Sequence, residues 1–144
     1  MNEINSMRLV FPSLSANEGF ARGAVAVFVS QLDPTVSELG DIKTAVSEAV
    51  TNCIVHAYPD NIGEVTLKCR LLPEDTVEIT IKDRGRGIEN VEEAREPLFT
   101  TGGEERSGMG FTIMESFMDS LRVRSTPGKG TTVIMRRRIA KRSR

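Results

Sequence analysis

Three polar residues recur at four-residue steps in the stretch SEAVTNCIVHA, residues 47–57: Glu48, Asn52 and His56. On an α-helix, residues four apart lie on the same face, so the three side chains share one stripe. A carboxylate beside a carboxamide on an otherwise apolar helix costs free energy unless the groups are hydrogen-bonded or bind a ligand. The spacing alone also fits a helix face exposed to water, and His56 fits a position beside the dipole at a helix C-terminus.

Three glycine-bearing segments downstream change the balance toward a ligand site: DRGRG, SGMG and GKGT. In the first, Asp83 ends an apolar strand pattern and precedes Gly85 and Gly87. Missing Cβ atoms permit a positive φ there and let a flat ligand approach the backbone. The Asp83 carboxylate can accept a hydrogen bond from an exocyclic amine, such as the 6-amino group of adenine. Taken alone, this segment also fits an ordinary Asp-Gly loop.

The second segment opens a predicted helix at Gly108 and Gly110. Free N–H groups and the positive end of the helix dipole favour phosphate oxygens there, and Arg106 can add a charge on a terminal phosphate. Asn52 then offers a hard oxygen to Mg²⁺, and Glu48 is placed as a base for the group that attacks the γ-phosphate. The sequence contains neither a Walker A motif nor the protein-kinase catalytic-loop signature.

Two helices are predicted to support these residues, because apolar residues recur at helical period over residues 16–32 and from residue 35 to about residue 57. Each begins with a pair at capping-box spacing: Ser15 with Glu18, and Thr35 with Glu38. A last helix is predicted to begin at Gly108 or Met109. The connection over residues 88–108, which holds at most a short helix at residues 91–95, is long enough to be a lid or a binding loop.

Strands are predicted where the period changes to two: at residues 7–11, in a hairpin of residues 65–71 and 77–81, and in a second hairpin of residues 121–124 and 131–135. Every predicted strand alternates apolar with polar residues, so the sheet is covered on one side only. The predicted fold is therefore α+β, a two-layer sandwich with helices on one face of a mixed, mostly antiparallel sheet.

Length and composition fit one soluble domain: the chain has 144 residues, of which 39% are hydrophobic and 27% charged. It contains no apolar run of eighteen residues and no signal-peptide pattern, so we expect a cytoplasmic protein without a membrane segment. Cys53 and Cys69 occupy apolar positions without metal-ligand spacing, which indicates reduced core thiols.

The C-terminal nine residues, RRRIAKRSR, hold six of the 19 basic residues and none of the 20 acidic ones, so the remainder carries 13 − 20 = −7. We predict an ATP-binding domain over residues 1–135 and a solvated basic tail over residues 136–144. A tail that binds nucleic acid is the alternative, but no aromatic residue lies among the arginines for stacking on bases.

These motifs resemble those of the GHKL ATPases and kinases, whose fold is also called the Bergerat fold. The resemblance covers nearly the whole chain. It identifies residues 48–52 with the asparagine-bearing helix, residues 83–87 with the adenine-binding Asp-x-Gly-x-Gly, residues 108–110 with the Gly-x-Gly at the end of the lid, and Gly130 and Thr131 with a late Gly-Thr. It implies that ATP and Mg²⁺ are the ligands, with Thr131 among the nucleotide-binding residues.

Longer segments resemble more closely the anti-sigma kinases of spore-forming bacteria: NEGFAR, QLDPT, SEAVTN, EPLFTT and ERSGMGFTIMESFMD. Residues 53–63, residues 102–104 and the arginine-rich end depart from that pattern. The resemblance implies a cytoplasmic homodimer that holds a sporulation sigma factor inactive when ATP is bound. It also implies an ATP-dependent serine kinase that phosphorylates an anti-anti-sigma factor, and it makes Arg22 a partner contact.

Two alternatives stay open from the sequence. One is a nucleotide-gated protein-binding module of the same fold that transfers no phosphoryl group, although such a module needs no base at Glu48. The other is a nucleic-acid-binding domain that uses residues 136–144, whose affinity would fall steeply with salt and survive ATP removal.

Overall fold

The computed structural model describes residues 2–96 and 110–140, in which five strands form one sheet with helices against one of its faces. In chain order the elements are β1 (Asn5–Pro12), α1 (Ala16–Val29), a 3₁₀ turn (Ser30–Leu32), α2 (Val36–Asn52), a π-helical turn (Cys53–Ala57), β2 (Glu64–Leu72), β3 (Thr76–Asp83), α3 (Val91–Ala94), α4 (Gly110–Phe117), β4 (Ser120–Thr126) and β5 (Gly130–Arg138).

The sheet has the strand order β1-β2-β3-β5-β4, in which the two predicted hairpins supply four strands and β1 adds the fifth beside β2. β3 and β5 join the two hairpins, with Ile79 opposite Met135 and Ile81 opposite Val133. The predicted two-layer α+β sandwich is confirmed. All four strand pairings among the described residues are antiparallel.

The core lies between the sheet and α1, α2 and α4. Residues on the strands alternate between this core and the opposite, open face, as the period of two predicts. On α2, the side chains of Ile42, Val46 and Val50 are fully buried against the sheet, and on α1 the side chain of Val25 is fully buried as well. Burying one such side chain contributes about 1.5–3 kcal/mol relative to exposing it. This packing holds α2 in place, and with it the helix face that carries Glu48 and Asn52.

The two predicted capping boxes have different outcomes. At α2 the prediction is confirmed: the Glu38 backbone N–H donates to Thr35 Oγ1 at 3.0 Å, and Glu38 Oε1 accepts from the Thr35 N–H at 2.8 Å. At α1 it is wrong, because Ser15 makes no side-chain cap bond. Ser15 has φ −57° and ψ −33°, which are helical values, whereas a capping serine needs an extended backbone to reach the helix N–H groups.

This difference predicts unequal effects of two alanine substitutions on stability. Thr35→Ala removes a cap acceptor and should lower the free energy of unfolding by about 1 kcal/mol. Ser15→Ala is the matched control and should change it by less than about 0.5 kcal/mol, because the Ser15 side chain caps nothing. Urea denaturation of both variants measures the difference, and equal losses would contradict the cap assignment.

Both long helices end in a different geometry from the one predicted. The first is α-helical to Val29 and continues as a 3₁₀ turn, after which Asp33 adopts a left-handed φ of 54°. The second is α-helical to Asn52 only, so the prediction of an α-helix to residue 57 is wrong for its last turn. Residues Cys53–Ala57 form a π-helical turn, in which the Tyr58 N–H donates to the Cys53 carbonyl at 3.1 Å.

The predicted solvated tail from residue 136 is wrong for residues 136–140, because β5 continues through Arg138. Arg137 donates to Asp41 Oδ2 of α2 at 3.0 Å, Ile139 is buried, and the Ala140 N–H donates to Glu38 Oε2 at 2.8 Å. These bonds lock the end of the strand to the start of α2. Residues 141–144 lie outside the described residues.

Both cysteines are free thiols in the core, as predicted. Burial raises the pKa of Cys69 to about 12, which makes this thiol chemically inert at neutral pH. Of the helices in residues 2–96 and 110–140, none has the length and apolar character to span a membrane.

Candidate functional site

A cavity of about 540 Å³ opens between the end of α2, the end of β3, the start of β5, and the helices α3 and α4. Its lining contains six of the residues singled out in the sequence: Asn52, His56, Asp83, Gly87, Gly110 and Thr131. These residues come from four separate segments of the chain, and the sheet and α2 bring them together.

Asp83 is a buried carboxylate of this cavity, with 6% of its surface exposed at the end of β3. Its Oδ1 accepts backbone hydrogen bonds from Gly85 at 2.9 Å and from Thr131 at 3.1 Å. Cys53 Sγ lies 3.6 Å from Oδ2. Burial raises the pKa of Asp83, and the two backbone hydrogen bonds oppose that rise. Oδ1 is thus occupied by the protein, whereas the one described residue that donates to Oδ2 is the weak thiol donor Cys53, so Oδ2 keeps acceptor capacity.

The glycines around Asp83 serve close contacts between backbone segments. A Cβ at Gly85 would collide with the Ala57 carbonyl oxygen, and one at Gly130 would collide with the Asp83 carbonyl oxygen. Gly87 has φ +75°, as expected for this loop, whereas Gly85, for which a positive φ was also expected, does not have one. Gly85 is not among the residues that line the cavity, so its missing side chain makes room for the π-helical turn and not directly for a ligand.

Thr131 is held by a serine that the sequence analysis missed. The Ile88 N–H donates to Ser125 Oγ at 2.7 Å, and the Ser125 hydroxyl can donate to the Gly130 carbonyl at 3.1 Å. Ser125 Oγ also lies 2.8 Å from the Thr131 hydroxyl, and either of these two hydroxyl groups can be the donor. This network fixes the loop after β3 to the start of β5 on the cavity side.

Tyr58 is a second residue that the sequence analysis missed. Its hydroxyl accepts from the Arg84 N–H at 2.6 Å and donates to the Glu64 carbonyl at 2.7 Å, which ties the loop after Asp83 to β2. Its ring lies so close to Gly63 that a Cβ there would overlap it. A tyrosine between a helix pattern and a turn gave no signal of this role, because the partners are backbone groups remote in sequence.

Glu48 and Asn52 approach the first described turn of α4. A Cβ added at Gly110 would lie 3.2 Å from both side-chain polar atoms of Asn52 and 3.5 Å from Glu48 Oε1. The two side chains thus share one helix face toward Gly110, as the four-residue spacing predicts. Asn52 lines the cavity, but Glu48 does not. Glu48 therefore lies one turn behind the wall, within reach of the start of α4.

Comparison with known proteins identifies the family. Residues 11–137 match the histidine kinase-like ATPase domain. The chain is 57% identical over 138 residues to the anti-sigma F factor of Caldanaerobacter subterraneus subsp. tengcongensis, an alignment that covers 95% of this chain and 96% of that protein. It is also 57% identical over 136 residues to the anti-sigma F factor of Clostridium perfringens, with 94% and 97% covered. The chain belongs to the anti-sigma F factor family.

The fold of this anti-sigma F factor family member is shared by a crystal structure of the RsbU and RsbW domains from Mycobacterium tuberculosis. That structure superposes with a TM-score of 0.73 at 18% identity, and the match covers 97% of this chain and 34% of the other. The match of residues 11–137 to the histidine kinase-like ATPase domain confirms the GHKL resemblance inferred from the motifs and makes this member a nucleotide-binding domain.

Three further predicted site residues do not line the cavity in the described part of the chain: Arg106, Gly108 and Arg22. Arg106, Gly108 and the core of the predicted lid fall within residues 97–109, which the structure does not describe. The short helix predicted at residues 91–95 is present as α3. Arg22 lies on α1, where its side chain is 42% exposed and pairs with Glu18 Oε2 at 3.3 Å.

The cavity of this family member fits an adenine nucleotide on two observations. Asp83 presents a buried carboxylate whose Oδ2 keeps acceptor capacity, which suits an exocyclic amine. The carboxamide of Asn52 and the start of α4 lie at another wall of the same cavity, where phosphates and a hard cation would find an oxygen ligand and a helix N-terminus.

Proposed function

We propose that this chain is an ATP-dependent protein serine kinase that is also an anti-sigma factor. It binds and inhibits a sporulation sigma factor and phosphorylates a serine of an anti-anti-sigma factor, acting as a homodimer. One observation carries the proposal. Glu48 and Asn52 both face Gly110 at the start of α4, while Asp83 offers an acceptor at another wall of the same cavity.

Asp83 recognises adenine through Oδ2, since Oδ1 is occupied by the backbone of Gly85 and Thr131. Gly87 gives the base access to the backbone, and Thr131 closes the same side of the cavity. At the phosphate end, Gly110 acts with Gly108 and Arg106, two residues for which the support is the sequence alone. Asn52 holds Mg²⁺, which neutralises charge on the phosphates when it is bound with ATP.

Glu48 accepts the proton of the attacking serine hydroxyl in this proposal. The serine oxygen forms a bond to the γ-phosphorus, the bond from that phosphorus to the β–γ bridging oxygen breaks, and ADP leaves with the electron pair. Glu48 stands outside the cavity lining, next to the start of α4. This location suits a base that meets the partner's hydroxyl and not the nucleotide itself.

The same location supports a second candidate, a nucleotide-gated protein-binding module without phosphoryl transfer. A carboxylate that does not line the cavity could serve only to hold Asn52 and α4. The sigma-binding part of the proposal rests on the relatives, which carry the name anti-sigma F factor, and holds for either candidate.

Transfer of labelled γ-phosphate separates the two candidates. The chain is incubated with Mg-ATP labelled at the γ-position and with an anti-anti-sigma protein from the same organism, followed by phosphoamino-acid analysis. The kinase proposal expects phosphoserine on the partner and ADP in equal amount. Capture of the sigma factor in the presence of ATP, without any labelled partner, would favour the binding module.

Asp83→Asn should reduce selectivity for adenine. The side-chain oxygen of asparagine can still accept from Gly85 and Thr131, but an NH₂ group then replaces Oδ2 and opposes the amino group of adenine. We expect ATP affinity to fall by at least about tenfold, because the NH₂ group of the new asparagine and the amino group of adenine are both donors and neither would have an acceptor. GTP affinity should change little. Fluorescence titration with both nucleotides measures this ratio. An unchanged ATP-to-GTP ratio would remove Asp83 from base recognition.

Arg22→Ala should weaken sigma-factor binding without changing ATP affinity, because Arg22 lies on the exposed side of α1 and outside the cavity lining. The expected loss is about fivefold to thirtyfold, the range of an interface arginine worth 1–2 kcal/mol. Lys43→Ala on α2 is the control for loss of one positive charge. Surface plasmon resonance with immobilised sigma factor gives the affinities of the Arg22→Ala and Lys43→Ala variants. Equal affinities would mean that Arg22 is a solvated side chain and not a partner contact.

A further inference from the structure

The face of the sheet turned away from the helices carries a concentration of positive charge. One row of paired residues crosses all five strands. It runs from Arg8 of β1 to Lys68 of β2, then through Thr80 of β3 and Ile134 of β5 to Arg122 of β4. The row thus contains three basic residues and no acidic residue. Neighbouring strands lie about 4.8 Å apart, so these cations span about 19 Å across the sheet.

The adjacent row also contains basic residues and no acidic residue. It runs from Val10 of β1 through Thr66 of β2 to Lys82 of β3, and then through Thr132 of β5 to Arg124 of β4. These two cations lie about 7 Å along the strands from the first row. Lys82, Arg122 and Arg124 are exposed and make no ion pair with any residue in the described part of the chain.

The third row shows how this face binds a carboxylate. Glu78 lies between Arg70 and Arg136 and is 6% exposed. Its Oε1 accepts from Arg70 at 2.9 and 2.6 Å, and its Oε2 lies 2.7 and 2.6 Å from Arg136 nitrogens. Burial alone would raise the pKa of Glu78, but the two guanidinium groups lower it. A depression of about 330 Å³ beside this cluster is lined by Arg122 as well.

Charge differs between these three rows and the rest of the chain, although the same face also holds Glu64 at the start of β2 and Glu3, which pairs with Arg70 at 3.7 Å. The three rows hold 7 of the 19 basic residues and 1 of the 20 acidic ones, a net charge of 7 − 1 = +6. The remainder holds 12 basic and 19 acidic residues, a net charge of −7. Duplex nucleic acid is a long polyanion that would be repelled by this remainder, and the rows carry no aromatic residue for base stacking. A membrane surface would require a second, apolar anchor.

We infer that the open face of the sheet is a docking surface for a carboxylate-rich segment of a partner protein, bound across Lys82, Arg122 and Arg124. A short acidic segment matches a face about 19 Å wide and avoids the acidic remainder. Arginine guanidinium groups bind carboxylates through charge-assisted hydrogen bonds, and on the same face Arg70 donates two such bonds to the Oε1 atom of Glu78. The surface lies on the side of the sheet opposite the nucleotide cavity, so its occupant can bind without blocking that cavity.

Fluorescence anisotropy with a fluorescein-labelled peptide of ten glutamates, at about 50 mM salt, tests this inference. Arg122→Glu/Arg124→Glu should weaken peptide binding by about tenfold or more. Lys43→Glu/Lys129→Glu makes the same change in net charge at residues outside the three rows and should weaken binding by less than about threefold. Arg122→Gln/Arg124→Gln gives a milder variant, and thermal unfolding of each variant checks its fold.

Other outcomes overturn the inference. Absence of peptide binding by the unmodified chain, or equal loss in the Lys43/Lys129 control, would mean that the face has no specific affinity for carboxylates. If a 20-base-pair duplex DNA binds more tightly than the glutamate peptide, and the Arg122/Arg124 variant loses this binding, the face is assigned to nucleic acid. If phosphatidylserine vesicles bind more tightly than the peptide, and the same variant loses this binding, the face is assigned to membranes.

Discussion

Glu48→Gln should transfer phosphate at about one hundredth to one ten-thousandth of the unmodified rate while binding ATP normally. Glutamine keeps the size of the side chain and its ability to hydrogen-bond near Asn52 and Gly110, but it cannot accept a proton. Loss of a general base costs roughly a hundredfold to ten-thousandfold in rate. Loss of a neutral hydrogen bond costs about 1 kcal/mol, which is less than tenfold.

Single-turnover transfer of labelled γ-phosphate to the anti-anti-sigma protein at saturating Mg-ATP measures this effect. ATP affinity and sigma-factor capture by the same variant separate a chemical defect from a folding defect. Glu92→Gln is the matched control, since Glu92 is an exposed residue of α3 that does not line the cavity. A Glu48→Gln rate within about threefold of the unmodified chain, well below the range for a lost base, would favour the nucleotide-gated binding module.

Gly85→Ala should weaken nucleotide binding by roughly 10- to 100-fold, although Gly85 does not line the cavity. A Cβ at this position would collide with the Ala57 backbone carbonyl, to which the Arg86 N–H also donates. The π-helical turn or the loop after β3 must move, and Asp83, held by the Gly85 N–H, moves with the loop. Overpacking of this kind costs about 1–3 kcal/mol, which corresponds to that range of affinity.

Gly40→Ala provides the matched control because it makes the same chemical change in open space within α2. Alanine is the better helix former, so this variant should gain up to about 1 kcal/mol of stability and bind ATP normally. Isothermal titration with ATP and thermal unfolding of both variants give the comparison. Unimpaired ATP binding by Gly85→Ala would mean that the contact with Ala57 does not position Asp83.

The sequence predicted the features that depend on periodicity and local chemistry. Alternation in β2 and β3 fixed the one-sided sheet, and the four-residue spacing put Glu48 and Asn52 on one helix face. The Thr35 cap was also predictable, since it involves residues three apart. In each of these cases the partners are close in the chain or follow a repeating pattern.

The features that the sequence did not predict depend on partners far apart in the chain. The π-helical turn after Asn52 accommodates Gly85, about thirty residues later, and no local signal distinguishes it from an α-helical turn. The run of arginines suggested a solvated tail, but Arg137 and Ala140 find their partners on α2, about a hundred residues earlier. Ser15 had the right spacing for a cap, but its helical backbone angles exclude one.

Isothermal titration of the unmodified chain with ATP, with and without Mg²⁺, tests whether the cavity is an ATP site. We expect one ATP bound per chain in the presence of Mg²⁺, markedly weaker binding when the metal is removed by EDTA, and GTP binding weaker than ATP binding. Absence of ATP binding, or affinities for ATP and GTP that are equal and independent of Mg²⁺, would contradict the assignment of the cavity between Asn52 and Asp83 as an ATP site.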